Sequence, residues 1–207
     1  MQKIIFITGT SRGIGLYLSE KFRDLGHVVI GCNRQTMDVT NEASVIDYFK
    51  WIKREYIQLD ILINNAGIAS MNHCLLTTGT KARQIMDVNF IGTFLCSREA
   101  GKLMINRSGK IINISSVAVP MSLQGEAVYV ASKAAIEALT KVMAKEVPGV
   151  TVNALRIGVT QTKLSKDAPQ WIVKNTFEEI FDAVQKIIKD NKTGQIYETA
   201  SVRRVKG

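Results

Sequence analysis

Residues 8–15 read Thr8-Gly9-Thr10-Ser11-Arg12-Gly13-Ile14-Gly15, directly after the apolar run Lys3-Ile4-Ile5-Phe6-Ile7. Beyond them Ile14, Leu18, Phe22 and Leu25 fall on one helical stripe, and Gly26 stands where such a helix stops. A strand that breaks into a glycine-rich turn and at once opens a helix has a specific use. Glycines let the backbone turn tightly and approach a bound group closely. The free amides and positive dipole end of the new helix then face an anion such as a pyrophosphate. The order is Gly-x-x-x-Gly-x-Gly, distinct from the Gly-x-Gly-x-x-Gly of the common dinucleotide fingerprint. A purely structural turn needs the same glycines, so this stretch alone leaves both readings open.

Working outward, further runs rich in Ile and Val lie at residues 27–31, 59–64, 110–115, 150–156 and 195–198. They lack polar alternation, as strands covered on both faces should. Helical patterns fill residues 42–56, 80–105, 126–146 and 177–190 between them. This alternation predicts an α/β architecture, a parallel sheet with helices on both faces. No repeat or linker interrupts it, so residues 1–207 read as one doubly wound domain.

Composition narrows the function classes. A chain of 207 residues buries roughly 70 % of its unfolded surface, enough for a full core. Hydrophobic residues at 46 % and charged residues at 22 % exclude a disordered or low-complexity chain. Cys32, Cys74 and Cys96 are too few and too scattered for a disulfide framework or zinc cluster, which points to a reducing, cytoplasmic setting. His27 and His73 lack ligand spacing, so no metal is expected. No apolar run is long enough for a membrane span. The net charge of +9 permits an anionic partner, but the cations are dispersed apart from Arg203, Arg204 and Lys206, which argues against nucleic acid.

Other residue types point to a reacting site. Tyr129 and Lys133 stand four apart on a predicted helix and share a face. A nearby cation favours the phenolate and should lower a tyrosine pKa from about 10 toward working pH. Ser116 closes a predicted strand at its carboxyl end, where ligands of open parallel sheets bind. In sequence order stand the glycine turn, Asp38-Val39, Asn64-Asn65-Ala66-Gly67, Asn89, Ile114-Ser115-Ser116 and Tyr129-Val130-Ala131-Ser132-Lys133. This ordered set resembles the short-chain dehydrogenase/reductase family from residue 3 to about 198, and within it the 3-oxoacyl-carrier-protein reductase type.

The resemblance implies a Rossmann fold and hydride transfer between a nicotinamide cofactor and a small-molecule carbonyl or alcohol, including carrier-bound ones. It implies that Tyr129 exchanges the proton and Ser116, chosen over Ser115 by its separation from Tyr129, bonds the substrate oxygen. Lys133 tunes Tyr129 and holds the ribose, and Asn89 supports a proton path. Gly9, Ser11, Arg12, Gly13, Ile14 and Gly15 would cradle the cofactor phosphates, with Asp38, Val39, Asn65, Ala66 and Gly67 along the adenosine. Gly158 and Thr162 would lie near the nicotinamide. Asp38 has a second reading, as a cap for the helix that begins near Asn41. Asn33 stands where an acid would hold a free ribose hydroxyl, and Arg34 and Arg12 are placed for a 2′-phosphate, so NADP(H) is favoured over NAD(H). A dinucleotide-binding sensor without turnover is the competing reading.

The chain also departs from the family pattern. Only Gln35-Thr36-Met37 separates Arg34 from Asp38, whereas a parallel crossover needs a dozen or more residues. A helix and a strand should therefore be missing, leaving about six strands and unsettling the adenine contacts of Asp38. Ile157 replaces a proline before Gly158, which should loosen that loop. Residues 163–176 form a short substrate lid, which favours a bulky or carrier-bound substrate. The last strand and tail imply a homodimer or homotetramer, although the basic tail departs from the family ending.

Overall fold

The computed structural model describes residues 1–160 and 174–199. β1 (Ile4–Thr8), α1 (Gly13–Asp24), β2 (Val28–Cys32), α2 (Glu42–Tyr56) and β3 (Ile61–Asn64) come first. A 3-10 turn at Cys74–Leu76, α3 (Gly79–Met86), a π-helical turn at Asp87–Ile91 and α4 (Gly92–Met104) lead to β4 (Lys110–Ser116). Then follow α5 (Ala118–Met121), α6 (Ala127–Glu146) and β5 (Thr151–Ile157). Two-residue strands β6 (Val159–Thr160) and β7 (Lys174–Asn175) pair with each other, before α7 (Phe177–Lys189) and β8 (Ile196–Glu198).

The six longer strands form one parallel sheet in the order β2-β1-β3-β4-β5-β8. The alternating directions of strand side chains divide the core into two layers. Phe6, Leu62 and Ile111 pack with Val45, Phe49, Ile52, Leu95 and Met104 beneath α2 and α4. Ile5, Ile7, Ile63, Ile112 and Ile114 pack on the other face with Leu18 and Phe22 of α1 and Phe181 and Val184 of α7. Each such buried side chain stabilises the fold by about 1.5–3 kcal/mol relative to exposure. No described helix is long and apolar enough to cross a membrane.

The missing crossover is replaced by a compact turn. Asn33 Oδ1 accepts from the amides of Gln35 (2.8 Å) and Thr36 (3.2 Å), and the Met37 amide donates to Asn33 O at 2.9 Å. Met37 then plugs the core at 1 % exposure. β2 is left as an edge strand, a surface that otherwise invites pairing with another chain. Side chains cover its outward carbonyls: Arg23 donates to Val29 O (3.4 Å) and the Tyr48 hydroxyl to Gly31 O (3.2 Å).

One expected element differs. The helical pattern over residues 80–105 is not a single α-helix but α3 and α4 joined by the π-helical turn, with Asn89 buried at its centre. Wide turns of this kind recur at functional sites.

Candidate active site

α1, which follows β1, packs on one face of the sheet and α4, which follows β3, on the other, so the chain leaves β1 and β3 in diverging directions. The crevice at their carboxyl ends is where open α/β sheets hold ligands. Here it is a cleft of about 910 Å³.

The glycine turn forms its floor. Gly9 and Gly13 have φ of +73° and +59°, a region that side chains disfavour. The amides of Gly9 and Thr10 both donate to Cys32 O at 3.0 Å. Asn65 Nδ2 donates to Thr8 O (3.0 Å) and Gly9 O (3.1 Å), while Thr8 Oγ1 accepts from the amides of Asn65 and Ala66 (3.0 Å each). A Cβ on Gly15 would sit 2.3 Å from Gly9 O and 2.5 Å from Asn65 Nδ2. Gly15→Ala should therefore force the turn apart and destabilise the fold by about 1–3 kcal/mol, read as a lower urea midpoint. The first turn of α1 carries no acidic residue and no capping side chain, so its amides and positive dipole end are free for an anion.

One wall carries Asn33, Arg34, Asp38, Val39 and Thr40. Arg34 Nε lies 3.5 Å from Asp38 Oδ2, and Asp38 Oδ1 accepts from the Thr40 amide (2.9 Å) and hydroxyl (2.7 Å). Burial pushes the Asp38 carboxyl up, but these bonds and the Arg34 charge outweigh it and hold it below its ordinary range. Asp38 does not cap α2. Asn41 does, accepting from the Ser44 amide at 2.9 Å. α3 and the π-helical turn also line the cleft, through Thr80, Arg83, Gln84, Asp87 and Val88. Sequence reasoning assigned none of these to the site; their i, i+3, i+4, i+7 stripe was legible, but not what it faces.

At the other end α6 brings Tyr129 and Lys133 to the carboxyl end of β4. The Ser116 hydroxyl lies near enough to the Tyr129 phenol to oppose the rise in its pKa, and Ser116 Oγ accepts from the Ala118 amide at 3.1 Å. Lys133 is 5 % exposed, donates to Ile114 O at 2.8 Å, and keeps its Nζ 5.8 Å from the Tyr129 ring centroid. Here the structure corrects the expected pKa. Desolvation pushes the Tyr129 phenol up to about 12; the Ser116 bond opposes this and the Glu126 charge adds to it. Lys133 does not lower it in this state, because its ammonium is turned to Ile114 O and is itself brought down to about 8 by burial.

Asn89 is fully buried and bridges two segments. Its Oδ1 accepts from the Ile68 amide (2.8 Å), and its Nδ2 donates to Ile68 O (2.9 Å) and to Ser132 Oγ (3.0 Å) on α6. A Cβ on Gly67 would lie 3.4 Å from Asn89 Oδ1 and 3.7 Å from Lys133 Nζ, so the three positions converge.

The structure thus gathers Gly9, Ser11, Arg12, Gly13, Ile14, Asn33, Arg34, Asp38, Val39, Asn65, Ala66, Gly67, Tyr129 and Lys133 on one cleft. Gly15, Ser116 and Asn89 are not among its lining residues: Gly15 packs against the turn, Asn89 clamps α6, and Ser116 adjoins Tyr129. Gly158 donates its amide to Asn175 Oδ1, and Ile157 lines the cleft beside it. Thr162 and most of the expected lid lie outside the described residues, as does the basic tail.

Comparison with known proteins agrees with this arrangement. The family pattern described as short chain dehydrogenase matches residues 34–173. The chain is 34 % identical over 185 residues to a 3-oxoacyl-(acyl-carrier-protein) reductase of Vibrio cholerae, covering 79 % of this chain and 76 % of that protein. A small-chain dehydrogenase crystallised with NADPH superposes with a TM-score of 0.87 at 26 % identity, covering 97 % and 98 % of the two chains. A 4-hydroxyisoleucine dehydrogenase complexed with NADH superposes with a TM-score of 0.85 at 29 % identity, covering 95 % and 96 %. With the family pattern spanning most of the chain, this protein belongs to the short-chain dehydrogenase/reductase family of oxidoreductases.

Proposed function

We propose that the protein is an NADP(H)-dependent oxidoreductase that interconverts a carbonyl and a secondary alcohol. The carrying observation is that Tyr129 and Lys133 line the same cleft as the glycine turn, with Ser116 beside Tyr129. The cradle fits a dinucleotide: the first turn of α1 opens on the cleft with neither an acidic residue nor a capping side chain to occupy its amides. The nicotinamide, when bound, supplies the hydride. The chain's own groups do the rest. Ser116 bonds and orients the substrate oxygen, Tyr129 gives it a proton in the reductive direction, and Lys133 holds the proton that replaces it. Asn89 fixes the spacing between α6 and the segment after Gly67.

The relatives include both NADPH- and NADH-bound enzymes, so local residues decide the cofactor. Asn33 offers no carboxylate to a free 2′-hydroxyl, while Arg12 and Arg34 offer guanidiniums to a phosphate. Arg12→Ala with Arg34→Ala should raise the KM for NADPH at least tenfold and leave that for NADH nearly unchanged, since bonds to charged groups contribute about 1.5–3 kcal/mol each. Equal effects on both would refute the assignment. The function itself is tested by NADPH absorbance over a panel of carbonyl compounds. 3-Oxoacyl thioesters come first, because the Vibrio cholerae relative is named for that class. Tyr129→Phe serves as the blank.

A further inference from the structure

The adenosine end of the cleft holds a guanidinium that the assignment above leaves unused. Arg83 is exposed on α3 and lines the same cleft as Arg34, Asp38 and Thr40. Its side chain folds back toward the start of its own helix: a Cβ on Gly79 would lie 3.6 Å from both Nη1 and Nη2. That is an unfavourable place for a cation, because the helix dipole is positive there. Thr78 already caps that end, accepting from the Lys81 amide at 3.2 Å. Asp87 lies one turn further on, yet among the described residues Arg83 forms no ion pair with it or with any other acid.

Of the cleft's three other cations, Arg12 belongs to the glycine turn, and the remaining two are already engaged. Arg34 shares its charge with Asp38 at 3.5 Å. Lys133 is bonded to Ile114 O at the reacting end. Because the chain between Arg34 and Asp38 is reduced to a turn, no described strand lies beyond β2, and α3 contributes residues to the same cleft. An unpaired guanidinium in that cleft, in addition to one that shares its charge with a carboxylate, is an anion site short of its anion.

Resting on the dinucleotide reading, we infer that Arg83 is a third cation of the 2′-phosphate site, reaching across from α3 to make up for the charge Arg34 shares with Asp38. A planar, fork-shaped donor suits a phosphate's paired oxygens. The site's preference for the phosphorylated cofactor would then depend on a helix that carries no glycine motif.

Direct binding tests this without turnover. Dissociation constants for NADPH, NADH, 2′,5′-ADP and 5′-ADP are measured by calorimetry at low and high salt, for the wild type, Arg83→Gln and Arg83→Lys. Arg83→Gln should weaken NADPH and 2′,5′-ADP about tenfold, leave NADH and 5′-ADP within about twofold, and flatten the salt dependence of the first pair. Arg83→Lys should retain part of the preference. Equal weakening of all four ligands would place Arg83 against the adenine instead and overturn the inference, as would no change in any. A wild type that binds 2′,5′-ADP no better than 5′-ADP would overturn the NADP(H) reading together with it. The substitution lies on an exposed face, so unchanged thermal stability is expected and is checked alongside.

Discussion

Tyr129→Phe should lower kcat for NADPH-dependent reduction roughly 10³-fold, within the range that a positioned general acid contributes, while NADPH binds nearly as before. The substitution removes one hydroxyl and keeps the ring against Lys133, so the cleft retains its shape. Ser116 keeps its bond from the Ala118 amide but loses its phenol partner. Retained turnover would rule out the role given to Tyr129. The wild-type pH profile offers a second readout. With the phenol at about 12, Tyr129 stays protonated across the working range, so reduction does not lose its proton donor there. Lys133, at about 8, is the group that changes. The ammonium is the form that can hand on a proton, and it is lost as pH rises through that value. The kcat/KM for reduction should be level on the acid side and fall above about pH 8. A profile that climbs through pH 8 would contradict this assignment.

The second large effect concerns stability. Arg156 on β5 donates to Glu137 Oε1 (2.8 Å) and Oε2 (2.7 Å) on α6, and to Glu198 Oε1 (3.1 Å) on β8. Ser115, next to Ser116, donates to the same Glu137 oxygen at 2.7 Å. The Glu137 and Glu198 side chains are only 9 % and 15 % exposed. Arg156→Met removes the guanidinium that both carboxylates share, and removing one partner of a buried ion pair costs about 3–5 kcal/mol. That is a large share of the 5–15 kcal/mol typical of a domain, so the urea midpoint should fall sharply. A triple variant carrying Arg156→Met, Glu137→Leu and Glu198→Leu should recover much of the loss, since well-packed apolar groups can replace a buried ion network.

The loss of one crossover unit was legible because it is a matter of reach. Three residues between Arg34 and Asp38 cannot span a parallel connection, whatever they pack against. What took its place was not legible. The Asn33 turn, the Met37 plug and the capping of β2 by Arg23 and Tyr48 are made by groups far apart in sequence or by side-chain geometry. The same holds for Asn89. Its place in the order of motifs is visible, but the π-helical turn around it, and its clamp between Ile68 and Ser132, exist only once two helices and a loop have met.

The linear chain by itself determined the alternation of buried strands and helices, the glycine turn, the shortened crossover and the shared face of Tyr129 and Lys133. Each depends on residue type and local spacing, which periodicity and chain length govern. Only the tertiary structure decided that α3 brings Arg83 to the cleft, and that Arg156 bridges acids from two other elements. It also decided that burial drives the Tyr129 and Lys133 pKa values in opposite directions. Desolvation and charge pairing depend on which surfaces meet, and residues 83, 137, 156 and 198 have no neighbourhood until the sheet assembles.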